Sequence, residues 1–147
     1  MTLPMARALA EARAASERGE VPVGAVVTDR AGRIVAADGN RVEEWRDPTA
    51  HAEILVLRTA AAALGSPRLV DHDLWVTLEP CPMCAQAIAF ARIRRLHFGA
   101  ADPKGGGVEN GPRIFGQPTC HHRPEVVAGI RETEAAALLR RFFQARR

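Results

Sequence analysis

Two short stretches constrain this chain more than anything else in it: Thr49-Ala50-His51-Ala52-Glu53 and Glu79-Pro80-Cys81-Pro82-Met83-Cys84. The first sets an imidazole and a carboxylate two residues apart; the second sets two thiols three residues apart. One helical turn brings both sulfurs to one side. With His51, Cys81 and Cys84 supply three zinc ligands, one short of a closed tetrahedral structural site, so a fourth position is left for water. Any fold must therefore carry His51 to the Cys81/Cys84 pair. One neutral imidazole and two thiolates make a zinc site of zero net charge, and a helix N-terminus favours thiolate over thiol. Such a metal brings the pKa of bound water down toward roughly 7. Glu53 can reach the same pocket without being a ligand, take a proton from that water and pass it on.

Other readings of the parts remain. A lone Cys-x-x-Cys suits a redox pair, or half of a structural zinc site that Cys120 with His121 or His122 would close. Three cysteines with one close pair fit a metal pair plus a leftover thiol, Cys120, in a reducing, cytoplasmic compartment. No apolar run approaches the roughly 18 residues of a membrane span. Met1-Thr2-Leu3-Pro4 lacks the basic start of a signal peptide. At 147 residues the chain reads as a single domain, residues 1–147, with a continuous core. All but one of its 20 basic residues are arginine, and Arg140, Arg141, Arg146 and Arg147 crowd the C-terminal end. Arginine binds phosphate bidentately and stacks on bases, which suits a nucleic-acid partner, although genomic base composition produces the same bias.

The chain predicts helices over 5–18, 50–63, 81–92 and 132–144, placing His51 and Cys81 in first helical turns. Strands are predicted over 21–28, 33–36, 73–78 and 94–99, with a short fifth over 125–130. Gly24 inside the first strand would weaken it unless something approaches the backbone closely, as a ligand would. Residues 37–47 read as irregular. Residues 101–118 hold five Gly and three Pro and read as a long surface loop, with Lys104-Gly105-Gly106-Gly107 its most flexible part. The order of elements gives an α/β fold, a mixed sheet with helices on both faces.

The His-x-Glu and Pro-Cys-x-x-Cys pairing is the established signature of zinc-dependent base deaminases. With Glu20-Val21-Pro22-Val23-Gly24-Ala25-Val26, Asn40-Arg41, Asp47-Pro48, Leu78-Glu79 and Phe98-Gly99-Ala100 around it, the chain resembles the bacterial tRNA-specific adenosine deaminases over nearly its whole length. The resemblance implies a three-layer α/β/α cytidine deaminase-like fold with a mostly five-stranded mixed sheet. It implies one Zn2+ per subunit on His51, Cys81 and Cys84, with Glu53 as proton shuttle. The activity implied is hydrolytic conversion of the wobble adenosine of an arginine tRNA to inosine, in a homodimer whose sites use both subunits. It further implies that Asn40 bonds the flipped nucleoside, Val23 packs on the base, and the backbone at Ala50 and Cys81 lies beside the reacting carbon. Asp102 would sit near a ribose 2′-hydroxyl, and His122, Phe143, Arg146 and Arg147 would meet the anticodon. Phe142 reads as core. The alternative substrate is a free nucleoside or base.

Overall fold

The computed structural model describes residues 3–146; Arg147, one of the predicted anticodon contacts, lies outside the described residues. The helices are α1 (Leu3–Glu17), α2 (Val42–Trp45), α3 (Ala52–Leu64), α4 (Pro82–Phe90) and α5 (Glu132–Gln144). The strands are β1 (Gly24–Thr28), β2 (Ile34–Gly39), β3 (Asp73–Leu78), β4 (Arg95–Ala100) and β5 (Glu125–Val127), in the spatial order β2-β1-β3-β4-β5. β1 runs antiparallel to β2 and β3, whereas β3, β4 and β5 are parallel. The fold is thus the expected mixed five-stranded sheet between two helical layers.

Strand periodicity divides the core. Val27, Leu74, Val76, Leu96 and Phe98 pack with Val56, Leu57 and Ile88 of α3 and α4. On the other face Val26 and Trp75 pack with Met5, Leu9 and Leu138 of α1 and α5. No helix of the described residues is long and apolar enough to cross a membrane.

Gly24 is needed for a different reason from the one expected. A Cβ there would stand 1.9 Å from the Ala8 carbonyl oxygen and 2.6 Å from the Ala12 nitrogen. Its register partner, Gly39, is also tight, though less so: a Cβ would lie 2.7 Å from the Glu11 carbonyl oxygen. The close approach is made by α1, which turns the fully buried Ala8, Ala12 and Ala15 onto the paired glycines. Backbone on both sides leaves no room to relax. Gly24→Ala is expected to destabilise the chain by about 3 kcal/mol or to prevent folding, as read by denaturant unfolding.

Residues 37–47 are more regular than the sequence suggested. β2 continues to Gly39, and Val42–Trp45 forms a single helical turn. Neither has a local signal, because the turn is held from elsewhere. The buried Glu20 carboxylate accepts from the backbone N–H of Glu43 at 3.1 Å and of Glu44 at 2.8 Å. It does the work of an N-cap from more than twenty residues away.

At the opposite end of the sheet, His97 pairs in register with Trp75 and stacks on it at 3.6 Å. Its Nε2 is buried without a hydrogen-bond partner, 3.7 Å from Asp73 Oδ2. Burial lowers the His97 pKa below its ordinary value, more than Asp73 raises it. The unfolded chain therefore takes up a proton that the folded chain resists, and stability falls as pH drops below about 6.5. His97→Phe keeps the stack and removes the buried orphan. It should flatten the fall in stability below about pH 6.5 while leaving stability at pH 8 equal or higher, measured by denaturant midpoints across pH.

Candidate active site

Two helix starts converge at the carboxyl end of the parallel strands. His51 is the N-cap of α3 and Cys81 the N-cap of α4, both in extended backbone, so each precedes the first turn in which the sequence placed it. Pro48 does not begin a helix; a turn over 47–50 comes first, closed by Ala50 N–H to the Asp47 carbonyl at 3.1 Å. Neither N-cap side chain caps its own helix. The imidazole and the thiol are thereby left for other use. The first N–H of α3, from Ala52, is taken by Asn40 Oδ1 at 2.8 Å. At the same position of α4 stands Pro82, which has no N–H to satisfy.

The three expected ligands meet. His51 Nδ1 lies 3.6 Å from Cys81 Sγ and 3.5 Å from Cys84 Sγ. Tetrahedral zinc, with Zn–N about 2.0 Å and Zn–S about 2.3 Å, sets nitrogen and sulfur about 3.5 Å apart, so the donor set fits that ion. Among the described residues the cluster contains only these three metal-binding side chains. Cys120 and His122 do not close the shell: Cys120 Sγ donates to the His122 carbonyl, and His122 Nε2 bonds the Ile93 carbonyl at 2.7 Å. The arrangement is the open, three-ligand type.

The protein groups share protons closely. The Cys84 thiol hydrogen bond, against burial and with help from His51, holds Cys81 at about 4. The same hydrogen bond and burial push Cys84 far up, and the Cys81 sulfur raises His51. Burial pushes the Glu53 carboxyl up to about 7. A carboxyl there is poised to hold or release a proton near neutral pH.

A cavity of about 600 Å³ opens over this cluster. His51, Glu53 and Cys81 form part of its lining, with Val23 and Asn40 on one side and Asp102 and Gly105 on another. Val42 and Glu43 of α2, Phe142 of α5, and Arg146 just beyond the end of α5 stand at the rim. Asn40 donates from Nδ2 to the Val21 carbonyl at 3.3 Å, which fixes its amide orientation beside the cavity. Asp102 accepts from the Lys104 and Gly105 N–H groups at 3.2 and 2.9 Å.

Other predicted contacts stand elsewhere. Ala50 is fully buried and outside the cavity lining, with its carbonyl accepting from Arg41 N–H at 3.0 Å. His122 is fastened ahead of β4, whereas the cavity lies beyond that strand's other end, so one chain does not bring it to the site. Phe143 is about half exposed and does not line the cavity, whereas Phe142, expected as core, is buried and lines it. The Arg146 guanidinium lies 3.5 Å from the Phe142 ring centroid.

The loop over 101–118 is not a loose surface segment. Glu79, 2% exposed, draws it inward through the backbone N–H groups of Asp102, Val108, Glu109 and Asn110. Gly106, Gly107, Val108 and Phe115 are buried within it, and Ile114–Gly116 forms a 3-10 turn. Glu20 and Glu79 are the two organising residues that the sequence reading missed. Glu79 carried a signal as an acidic residue at the end of an apolar strand, whereas Glu20, after Glu17-Arg18-Gly19, carried none.

Comparison with known proteins decides the family. Residues 3–147 match the family described as MafB19-like deaminase. The tRNA-specific adenosine deaminase of Agrobacterium fabrum is 61% identical over 144 residues, covering 97% of this chain and 93% of that protein. The chain belongs to the tRNA-specific adenosine deaminases. The Bacillus subtilis tRNA-specific adenosine deaminase is 44% identical over 142 residues, covering 97% of this chain and 88% of that one. A solved structure from work on A-to-I editing by tRNA:A34 deaminases at the wobble position is 60% identical, with a TM-score of 0.93 over 95% of this chain and 100% of that one. A guanine deaminase from Nitrosomonas europaea is 29% identical, with a TM-score of 0.77 over 95% of this chain and 82% of that one.

Because Cys84 holds a proton that a metal must displace, zinc uptake by this deaminase should release at least about one proton per site. Calorimetric titration in buffers of different ionisation enthalpy measures that number. His51→Ala and Cys84→Ala should each abolish stoichiometric uptake.

Proposed function

We propose that the chain, acting as one domain and as a cytoplasmic homodimer, hydrolyses the wobble adenosine of an arginine tRNA anticodon loop to inosine with zinc on His51, Cys81 and Cys84. The observation that carries the reading is the cluster itself: three ligand atoms within 4.8 Å of one another, with the buried Glu53 beside them in one cavity. The relatives support the substrate class, since the Agrobacterium fabrum and Bacillus subtilis proteins are tRNA-specific adenosine deaminases.

A zinc ion bound there would supply an activated water and polarise it for attack. Glu53 takes the proton that this water gives up as its oxygen bonds to C6 of the purine. It delivers that proton to N1 and carries the second to the amino group, which leaves as ammonia while the C6 carbonyl forms. Burial keeps the Glu53 carboxyl within reach of neutral pH for both transfers. Asn40 orients the nucleoside and Val23 packs on the flipped base. The backbone at Ala50 supports the turn before His51. A wobble base is already poorly stacked, so flipping it costs little. Asp102 faces the ribose, where a 2′-hydroxyl marks RNA. Phe143, Arg146 and Arg147, near the C-terminal end of the sequence, hold the anticodon, and His122 contributes from the partner subunit's side of the dimer.

A second reading is deamination of a free purine, favoured by the likeness to the guanine deaminase and by a cavity large enough for a nucleoside. Incubating zinc-loaded protein with the arginine tRNA, sequencing for inosine, and running free adenosine, guanine and cytidine in parallel separates the two. Inosine at the wobble position with no turnover of free bases is expected. Glu53→Gln should reduce kcat by at least about a thousandfold while leaving zinc content and tRNA binding within about twofold of wild type, by metal analysis and filter binding.

A further inference from the structure

We propose that Glu79 is a positioning residue that fixes the Asp102 rim of the cavity to the metal-ligand turn, and so sets how tightly the site holds the target nucleotide. The proposal rests on the reading of the cavity as an RNA deaminase site.

Glu79 follows β3 and stands two residues before Cys81. Its carboxylate accepts from Asp102 N–H at 3.0 Å, Val108 N–H at 3.1 Å, Glu109 N–H at 2.9 Å and Asn110 N–H at 3.1 Å. Asn110 Nδ2 adds a fifth donor at 2.7 Å. A buried carboxylate is stable only when its oxygens are this well supplied, and bonds to an ionised acceptor are the strong ones. One side chain thus gathers both ends of the segment from Asp102 to Asn110.

The segment leans on the metal turn as well. Gly107 N–H donates to the Pro80 carbonyl at 2.8 Å, and a Cβ on Gly107 would meet the Pro82 nitrogen at 2.6 Å. A Cβ on Gly106 would lie 2.5 Å from Glu79 Oε2. The glycines let the backbone close onto Glu79 and onto the start of α4. Within that wrap, Asp102 is held in its own turn and lines the cavity with Gly105. Replacing the carboxylate by an amide turns one of its two oxygens into a donor, so either the N–H groups of Val108, Glu109 and Asn110, which share Oε2, or that of Asp102, on Oε1, lose their acceptor. Asp102 then leaves its place while His51 and Glu53, at the start of α3, keep theirs.

The test uses the full-length zinc-loaded chain and an arginine tRNA anticodon stem-loop, alongside the same stem-loop with a 2′-deoxy target nucleotide. Glu79→Gln should raise KM for the RNA by about tenfold or more, with kcat within about threefold and zinc at one per chain. The preference for ribose over deoxyribose should shrink with it. Asn110→Ala, which leaves the carboxylate intact, should shift KM the same way by a smaller factor, and it carries the test if Glu79→Gln does not fold. Amide exchange at 108–110 should speed up in both variants. A fall in kcat at unchanged KM, loss of zinc, or unchanged exchange at 108–110 overturns the proposal. A wild-type chain that converts no RNA overturns the functional reading instead, and the exchange measurement still decides whether Glu79 holds the loop.

Discussion

Everything at the site depends on two helix N-termini meeting with their N-cap side chains unspent. An N-cap residue ordinarily turns its side chain back onto the second or third N–H of its helix. His51 and Cys81 do not, and could not do so and also bind a metal. Only the first donor of each helix is dealt with by a neighbour: Asn40 bonds the Ala52 N–H, and Pro82 removes the corresponding donor from α4. Both helix dipoles then point their positive ends at the ligand cluster, where thiolate is favoured. The Asp-Pro-Thr-Ala ahead of His51 and the Glu-Pro ahead of Cys81 are the means of bringing an extended residue to each helix start.

That geometry also explains the acid–base character of the site. Glu53 is in the first turn of α3, a position where a negative charge would suit the dipole, yet burial raises its pKa. Desolvation wins over the dipole because the residue is only 4% exposed. The same environment leaves Cys81 low and Cys84 high, so the pair shares one proton instead of losing both. One buried pocket sets the protonation of both the His51/Cys81/Cys84 cluster and Glu53, which is why the short His-x-Glu spacing matters: it puts an N-cap and a first-turn residue on the same wall.

Legibility in the sequence followed the range of the interactions. Helices α1, α3, α4 and α5 and strands β1, β3 and β4 were readable from apolar period and turn residues, because local pattern and buried face agree. The metal cluster was readable because few residue types do that chemistry. The α2 turn and the fold of the 102–110 segment were not, since each is held by a carboxylate more than twenty residues distant. Gly24 was noticed for the right physical reason, a close backbone approach, but the approaching group was α1. Glycines at 105–107 read as freedom when the lack of a Cβ at 106 and 107 serves tight contact with Glu79 and Pro82.

The C-terminal helix shows the limit of reading by residue type. Phe142 and Phe143 are adjacent, so a helix must send them about 100° apart, and only one can face the cavity. The buried face of α5 is set by Ala135, Leu138 and Phe142, at helical spacing, so Phe142 goes inward and Phe143 is left about half exposed. Arg146, four residues on, falls on the same face, donates to the Phe142 carbonyl at 3.3 Å and covers its ring. An aromatic ring under a guanidinium at the cavity mouth is both a core contact and a surface that a base or phosphate can meet. The division between core residue and binding residue therefore fails at this position: the packing that buries Phe142 also places Arg146 at the rim.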